Sequence, residues 1–122
     1  MTIKERILVV DDELDICLVL KIVLENNGFI VTYYCNPILA LNEFKSNFYD
    51  LIILDIQMPN MNGFQLYNEI RKKDIKSKIC FVTASENITD ITYKFPPGYT
   101  IIKKPIENND LIRIVNSLLN KW

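Results

Sequence analysis

Short apolar runs recur along the chain, each bounded by polar, turn or capping residues. They are Ile7-Leu8-Val9-Val10, Leu51-Ile52-Ile53-Leu54, Ile79-Cys80-Phe81-Val82 and Ile101-Ile102. Unbroken β-branched runs of this length predict central strands covered on both faces. The pattern predicts strands at 6–10, 29–34, 51–54, 78–82 and 100–102. Helical patterning fills the gaps at 13–27, 37–47, 63–73, 87–94 and 107–121. Asn27-Gly28 reads as a helix C-terminus, because glycine enters the left-handed region freely. Asn36-Pro37 reads as an N-cap followed by proline at the first helical position.

Strands alternating with helices imply an α/β fold with a parallel sheet and right-handed crossovers. The weakest element is the fourth helical segment. It contains Thr89 and Thr92 with few strong helix formers, and Phe95-Pro96-Pro97-Gly98 then forces a break. That region is expected to be short or loop-like. The first helix is strongly apolar, with Ile16, Val19, Leu20, Val23 and Leu24 at core spacing. This phase leaves Leu14, Cys17, Leu18 and Ile22 toward a second face.

A length of 122 residues fits one domain with its own core, and no repeat or linker interrupts it. The formal net charge of -1 gives no reason to expect direct nucleic-acid binding or an anionic membrane partner. No apolar run is long enough to span a bilayer, and the N-terminus has no signal-peptide pattern, so the expected location is the cytoplasm. Cys17, Cys35 and Cys80 form no metal spacing and read as reduced, largely buried thiols. The absence of histidine removes histidine-based catalysis, histidine metal sites and a phosphohistidine role.

The chemistry lies where the apolar runs end. They lead into Asp11-Asp12, Asp55, Thr83 and Lys104-Pro105. Ligands of open parallel sheets bind at the carboxyl ends of the strands, so these side chains should converge. Three carboxylates brought together need a cation or raised pKa values. An all-oxygen set favours Mg²⁺ or Mn²⁺ over Zn²⁺. Asp55 can then serve as a nucleophile toward a phosphoryl group, as aspartyl phosphates form elsewhere. Lys104 would neutralise phosphoryl oxygens, and the Thr83 hydroxyl would hydrogen-bond to one. Taken singly, Asp11-Asp12 also fit a helix N-terminus, Thr83 a strand end and Lys104 a solvated lysine.

These segments together resemble the receiver domain of two-component response regulators. The resemblance is carried by Ile7-Leu8-Val9-Val10-Asp11-Asp12-Glu13, Asp50 through Pro59, Met61-Asn62-Gly63-Phe64-Gln65-Leu66, Val82-Thr83-Ala84 and Lys104-Pro105. It implies a flavodoxin-like, doubly wound five-stranded sheet of order 2-1-3-4-5 with helices on both faces. It also implies phosphorylation on Asp55 and Mg²⁺ held by Asp11, Asp12, Asp55 and the backbone carbonyl of Gln57. Thr83 and Lys104 would contact the phosphoryl group, and Lys104–Pro105 would be cis. The donor implied is a histidine kinase or a histidine phosphotransfer domain. The expected organisation is one receiver domain over 1–122 without an output domain, acting through a further protein.

Two positions depart from the resemblance. The residue three before the lysine is usually aromatic in that family and is Ile101 here, with Tyr99 two residues earlier. The stretch between Ala84 and Tyr99 carries the Phe95-Pro96-Pro97-Gly98 break, on the family's usual output face. Gln57 and Ser85 occupy positions that influence acyl-phosphate lifetime in the family. Leu14 and Leu18, at the start of the first helix, are candidates for a phosphodonor docking patch. Two other functions fit less of the sequence. A receiver-like binding module that is not phosphorylated would leave the Asp11, Asp12, Asp55, Thr83 and Lys104 set unused. A phosphohydrolase commonly places a second acid just after its aspartyl nucleophile, where this chain has Gln57.

Overall fold

A computed structural model describes residues 3–84 and 99–121. The helix expected at 87–94, the Phe95-Pro96-Pro97-Gly98 break, Ser85 and Trp122 lie outside the described residues. Five strands form one parallel sheet: β1 (Arg6–Val10), β2 (Ile30–Tyr34), β3 (Leu51–Asp55), β4 (Lys78–Thr83) and β5 (Thr100–Lys103). Their spatial order is β2-β1-β3-β4-β5, the doubly wound order the sequence resemblance implied. Four helices are described: α1 (Leu14–Asn26), α2 (Pro37–Asn42), α3 (Gly63–Arg71) and α4 (Asn108–Leu118).

The apolar runs build two cores because successive strand side chains point to opposite faces. Ile7, Val9, Leu51, Ile53, Cys80 and Val82 face α1 and α4, meeting Cys17, Leu20, Leu24, Leu111 and Val115. Leu8, Val10, Ile52, Leu54, Ile79 and Phe81 face α2 and α3, meeting Ala40, Leu66 and Ile70. In-register pairing of Val10 with Leu54, and of Asp55 with Val82, brings the carboxyl ends of β1, β3 and β4 level. That alignment positions the site.

Local chemistry fixes the helix ends. Asn36 accepts hydrogen bonds from the Ile38 and Leu39 N–H groups and caps α2. Asn62 and Gln65 form a reciprocal capping box that starts α3. Gly28, at φ 92°, ends α1. There the Phe29 N–H donates to the Leu24 carbonyl and the Gly28 N–H to the Glu25 carbonyl, as a Schellman motif requires. Gly63 is needed for close approach: a methyl at its Cα would run into the Asp55 carbonyl. Its N–H donates to the Ile56 carbonyl at 2.9 Å, holding α3 against the turn after β3.

Two expectations are corrected. Helix α2 stops at Asn42 rather than near residue 47. Asn47 is left-handed at φ 60°, and its N–H donates to the Asp74 carboxylate at 2.9 Å. Asp74 also accepts from the Lys76 and Ser77 N–H groups. Burial opposes its charge, but these backbone donors outweigh that and lower its pKa. The second correction concerns two positions of α1. Leu20 and Leu24 are buried, Ile16 and Val23 pack against the same core, and Leu14, Leu18 and Ile22 are exposed, as expected; but Cys17 is buried and Val19 stands exposed. When nearly every position is apolar, periodicity does not settle each one; Cys17 turns toward the ends of β1 and β2, its thiol 3.2 Å from the Asp11 carbonyl.

Candidate functional site

The carboxyl ends of β1, β3, β4 and β5 bring together the residues singled out from sequence. Asp11 directly follows β1, Asp55 ends β3, Thr83 ends β4 and Lys104 directly follows β5. Asp11 is 2% exposed, Asp55 3% and Thr83 fully buried, while Asp12 faces solvent. Single carboxylate oxygens of Asp11, Asp12 and Asp55 all lie within 4.8 Å of one another. The Lys104 N–H donates to the Thr83 carbonyl at 2.8 Å, which fixes where the lysine leaves the sheet. The Lys104–Pro105 peptide is cis, as the resemblance implied.

The Lys104 ammonium lies 2.8 Å from Asp11 Oδ2, 3.5 Å from Asp55 Oδ2 and 3.5 Å from Glu13 Oε1. Its side chain is 10% exposed. Burial opposes the charge, yet the hydrogen bond to Asp11 and the three carboxylates prevail and raise the Lys104 pKa. Asp55 is perturbed the other way. Burial and then the Asp11 charge push its carboxyl up from 3.8 to about 7, against the opposing pull of Lys104. One ammonium among this many carboxylates leaves the cluster short of positive charge, which a divalent cation would supply.

Backbone and side-chain dipoles complete the pocket. The Glu13 N–H donates to Asp11 Oδ1 at 2.9 Å, fixing that carboxylate at the start of α1. The Gln57 N–H reaches Asp55 Oδ1 at 3.4 Å, and the Thr83 hydroxyl donates to Gln57 Oε1 at 3.4 Å. Cys17, which sequence reasoning left on the outer face, donates its thiol hydrogen to the Asp11 carbonyl at 3.2 Å. Burial pushes this thiol up to about 12, so it remains a donor. Glu13 was also missed as a partner of Lys104. Its place beside Asp11-Asp12 was the available signal; nothing in the sequence announced Cys17.

Leu14 and Leu18 are 50% and 38% exposed on α1, so the proposed docking residues do face outward. Beside them Ile16, Val19, Leu20, Pro105 and Ile106 line an apolar groove of about 280 Å³ that reaches Lys104. Ile101 is half-buried. Tyr99 packs edge-on against Phe81 and Tyr67, and the Tyr67 and Tyr99 hydroxyls lie 2.6 Å apart. Tyr99, beside the same core as Ile101, is thereby tied to α3. No helix among the described residues is long and apolar enough to cross a membrane.

A family model described as "Response regulator receiver domain" matches residues 7–116. Among curated proteins, the response regulator SaeR of Staphylococcus aureus is 30% identical, over 95% of this chain and 51% of SaeR. The chain spans about half the length of the curated relatives it matches. Among solved structures, the response regulator TrrA of Thermotoga maritima, in complex with Mg²⁺-BeF, is 37% identical. Its TM-score is 0.80, with 94% of this chain and 99% of that one covered. The non-phosphorylated HemR receiver domain of Leptospira biflexa is 28% identical at a TM-score of 0.86, covering 98% and 97% of the two chains. With the 2-1-3-4-5 sheet and a buried acidic pocket of the kind receivers use for phosphorylation, this match over nearly the whole chain places the protein in the response regulator receiver domain family.

Proposed function

We propose that the protein is a phospho-accepting switch in which Asp55 takes a phosphoryl group from a histidine kinase or histidine phosphotransfer domain. The observation that carries this reading is the convergence of Asp11, Asp12 and Asp55 on one another, with the Lys104 ammonium against Asp11 and Asp55. Mg²⁺ fits the all-oxygen donor set, with Asp11, Asp12, Asp55 and the Gln57 carbonyl as its holders, and would supply divalent counter-charge for the carboxylates and phosphoryl oxygens. A carboxylate oxygen of Asp55 attacks phosphorus in line. The P–N bond to the donor imidazole breaks as the new P–O bond forms. Lys104 moves its charge from Asp55 toward the phosphoryl oxygens, and the Thr83 hydroxyl turns from Gln57 to donate to one of them. The added charge of about −1.5 to −2 repartitions these contacts and biases the surface that binds the next protein.

The test is intact mass after incubation with acetyl phosphate and Mg²⁺, beside an Asp55→Asn control. The expected result is a gain of one phosphoryl group that requires both Mg²⁺ and Asp55. Absence of a gain, together with failure to bind beryllofluoride, would favour a receiver-like binding module instead. The exposed Leu14 and Leu18 support donor docking along α1. Truncating both to alanine should lower the transfer rate from a cognate kinase by about tenfold or more, as loss of anchor contacts does. Acetyl phosphate labelling should not change. Equal transfer rates in the variant and the parent would remove the docking role.

A further inference from the structure

Cys17 and Cys35, 18 residues apart in sequence, meet with their sulfurs 4.0 Å apart. The fold brings this about at the rim of the acidic pocket. Val10 of β1 pairs with Tyr34 of β2, and the Asp11 N–H donates to the Tyr34 carbonyl at 3.2 Å. Cys35, the next residue after β2, therefore stands beside the start of α1, where Cys17 points inward. Cys17 is fully buried, Cys35 is half-buried, and both are free thiols. A disulfide requires the sulfurs to close to about 2.05 Å. Side-chain rotation at the less constrained Cys35 is the direct route to that distance.

We propose that Cys17 and Cys35 form a reversible intramolecular disulfide in response to a peroxide, with Cys35 attacked first and Cys17 closing the bond. Exposure sets the order, since a small oxidant reaches Cys35 before the buried partner. The Cys35 sulfur attacks one peroxide oxygen and the O–O bond breaks. Cys35 becomes a sulfenic acid, and its thiol proton leaves in a water molecule. The Cys17 sulfur then attacks Cys35 Sγ, the S–O bond breaks, and the hydroxyl departs with the Cys17 proton as a second water. Two thiols and one hydrogen peroxide thus give one disulfide and two waters. The crosslink withdraws the thiol donor from the Asp11 carbonyl and ties the first turn of α1 to the end of β2. Cys80, buried in β4 with its thiol directed toward the Phe81 carbonyl, takes no part.

The experiment treats the reduced full chain with hydrogen peroxide, denatures it, alkylates with N-ethylmaleimide and reads intact mass with peptide mapping. Alkylation is expected to fall from three sites to one, with a Cys17–Cys35 peptide pair, and to recover fully on reduction. The Cys80→Ser variant should still form the crosslink. In the Cys35→Ser variant both remaining cysteines should stay alkylatable at the same dose. Three alkylated sites at a dose that fully oxidises a small dithiol would overturn the proposal. So would over-oxidised Cys35 beside an alkylatable Cys17, or a crosslink found only between two chains.

Discussion

Replacing Asp55 with asparagine is expected to make the protein more stable above about pH 7, although it removes the proposed phosphoacceptor. The Asp55 carboxyl is nearly buried, and its pKa rises from 3.8 to about 7 through burial and the Asp11 charge. Between those values the folded chain holds a proton that the unfolded chain has released. Stability therefore falls as pH rises through this window, and the loss is complete above the folded pKa. A shift of about three units corresponds to about 4 kcal/mol as an upper figure. Asparagine keeps the shape and the oxygen that accepts from Gln57 but carries no charge to bury. Urea unfolding from about pH 4 to about pH 8 should show the parent losing stability on this account, with the variant spared. The gap between them should be small at the acid end and about 2–4 kcal/mol at the alkaline end. Saturating Mg²⁺ should narrow it by stabilising the parent more than the variant, which has lost one of the carboxylates that would hold the ion. A gap that does not change with pH would mean that Asp55 is not the strained group.

This strained carboxylate was legible in the sequence as a position but not as an energy. Apolar runs ending in Asp11, Asp55, Thr83 and Lys104 were sufficient to predict convergence, because a parallel sheet places strand ends on one rim. The sheet order came from the family resemblance, and the parallel register then followed. What sequence could not give depends on side-chain direction. Nothing in the spacing of Asp11, Glu13, Asp55 and Lys104 says that one ammonium serves three carboxylates, with Asp11 nearest. Two positions of α1, Cys17 and Val19, were misplaced for a related reason. With Leu14, Ile16, Leu18, Val19, Leu20 and Ile22 all apolar, only packing decides that Cys17 turns inward while Val19 turns out. The expected extension of α2 to residue 47 ran into the left-handed Asn47, whose N–H donates to Asp74 across 27 residues, a contact that no local pattern encodes.

Replacing Lys104 with methionine should have the opposite effect to the Asp55 change, and the two together test whether the charges are linked. The ammonium is the counter-charge for two nearly buried carboxylates, and its raised pKa keeps it protonated throughout the accessible range. Methionine fills similar space but leaves Asp11 and Asp55 facing each other unpaired. Removing one partner of a buried ion pair costs about 3–5 kcal/mol. Near pH 8 the Lys104→Met protein should lose about 3 kcal/mol, toward the lower end because Asp55 can take up a proton. The Asp55 carboxyl should then be pushed up further than the position of about 7 that it takes beside the lysine. The loss should shrink as pH falls and Asp55 protonates. In an Asp55→Asn background the same lysine change should cost less, since one of the two carboxylates has gone. Some cost should persist, because Asp11 at 2.8 Å is the closer partner. Equal costs in both backgrounds would mean that Lys104 acts through Asp11 alone. Labelling by acetyl phosphate should slow by about a hundredfold or more in Lys104→Met, the scale of losing one preorganised charge contact. Mg²⁺ should restore part of the stability without restoring that rate. A cation among Asp11, Asp12 and Asp55 can offset the carboxylates, but it leaves vacant the place from which Lys104 would meet the phosphoryl oxygens.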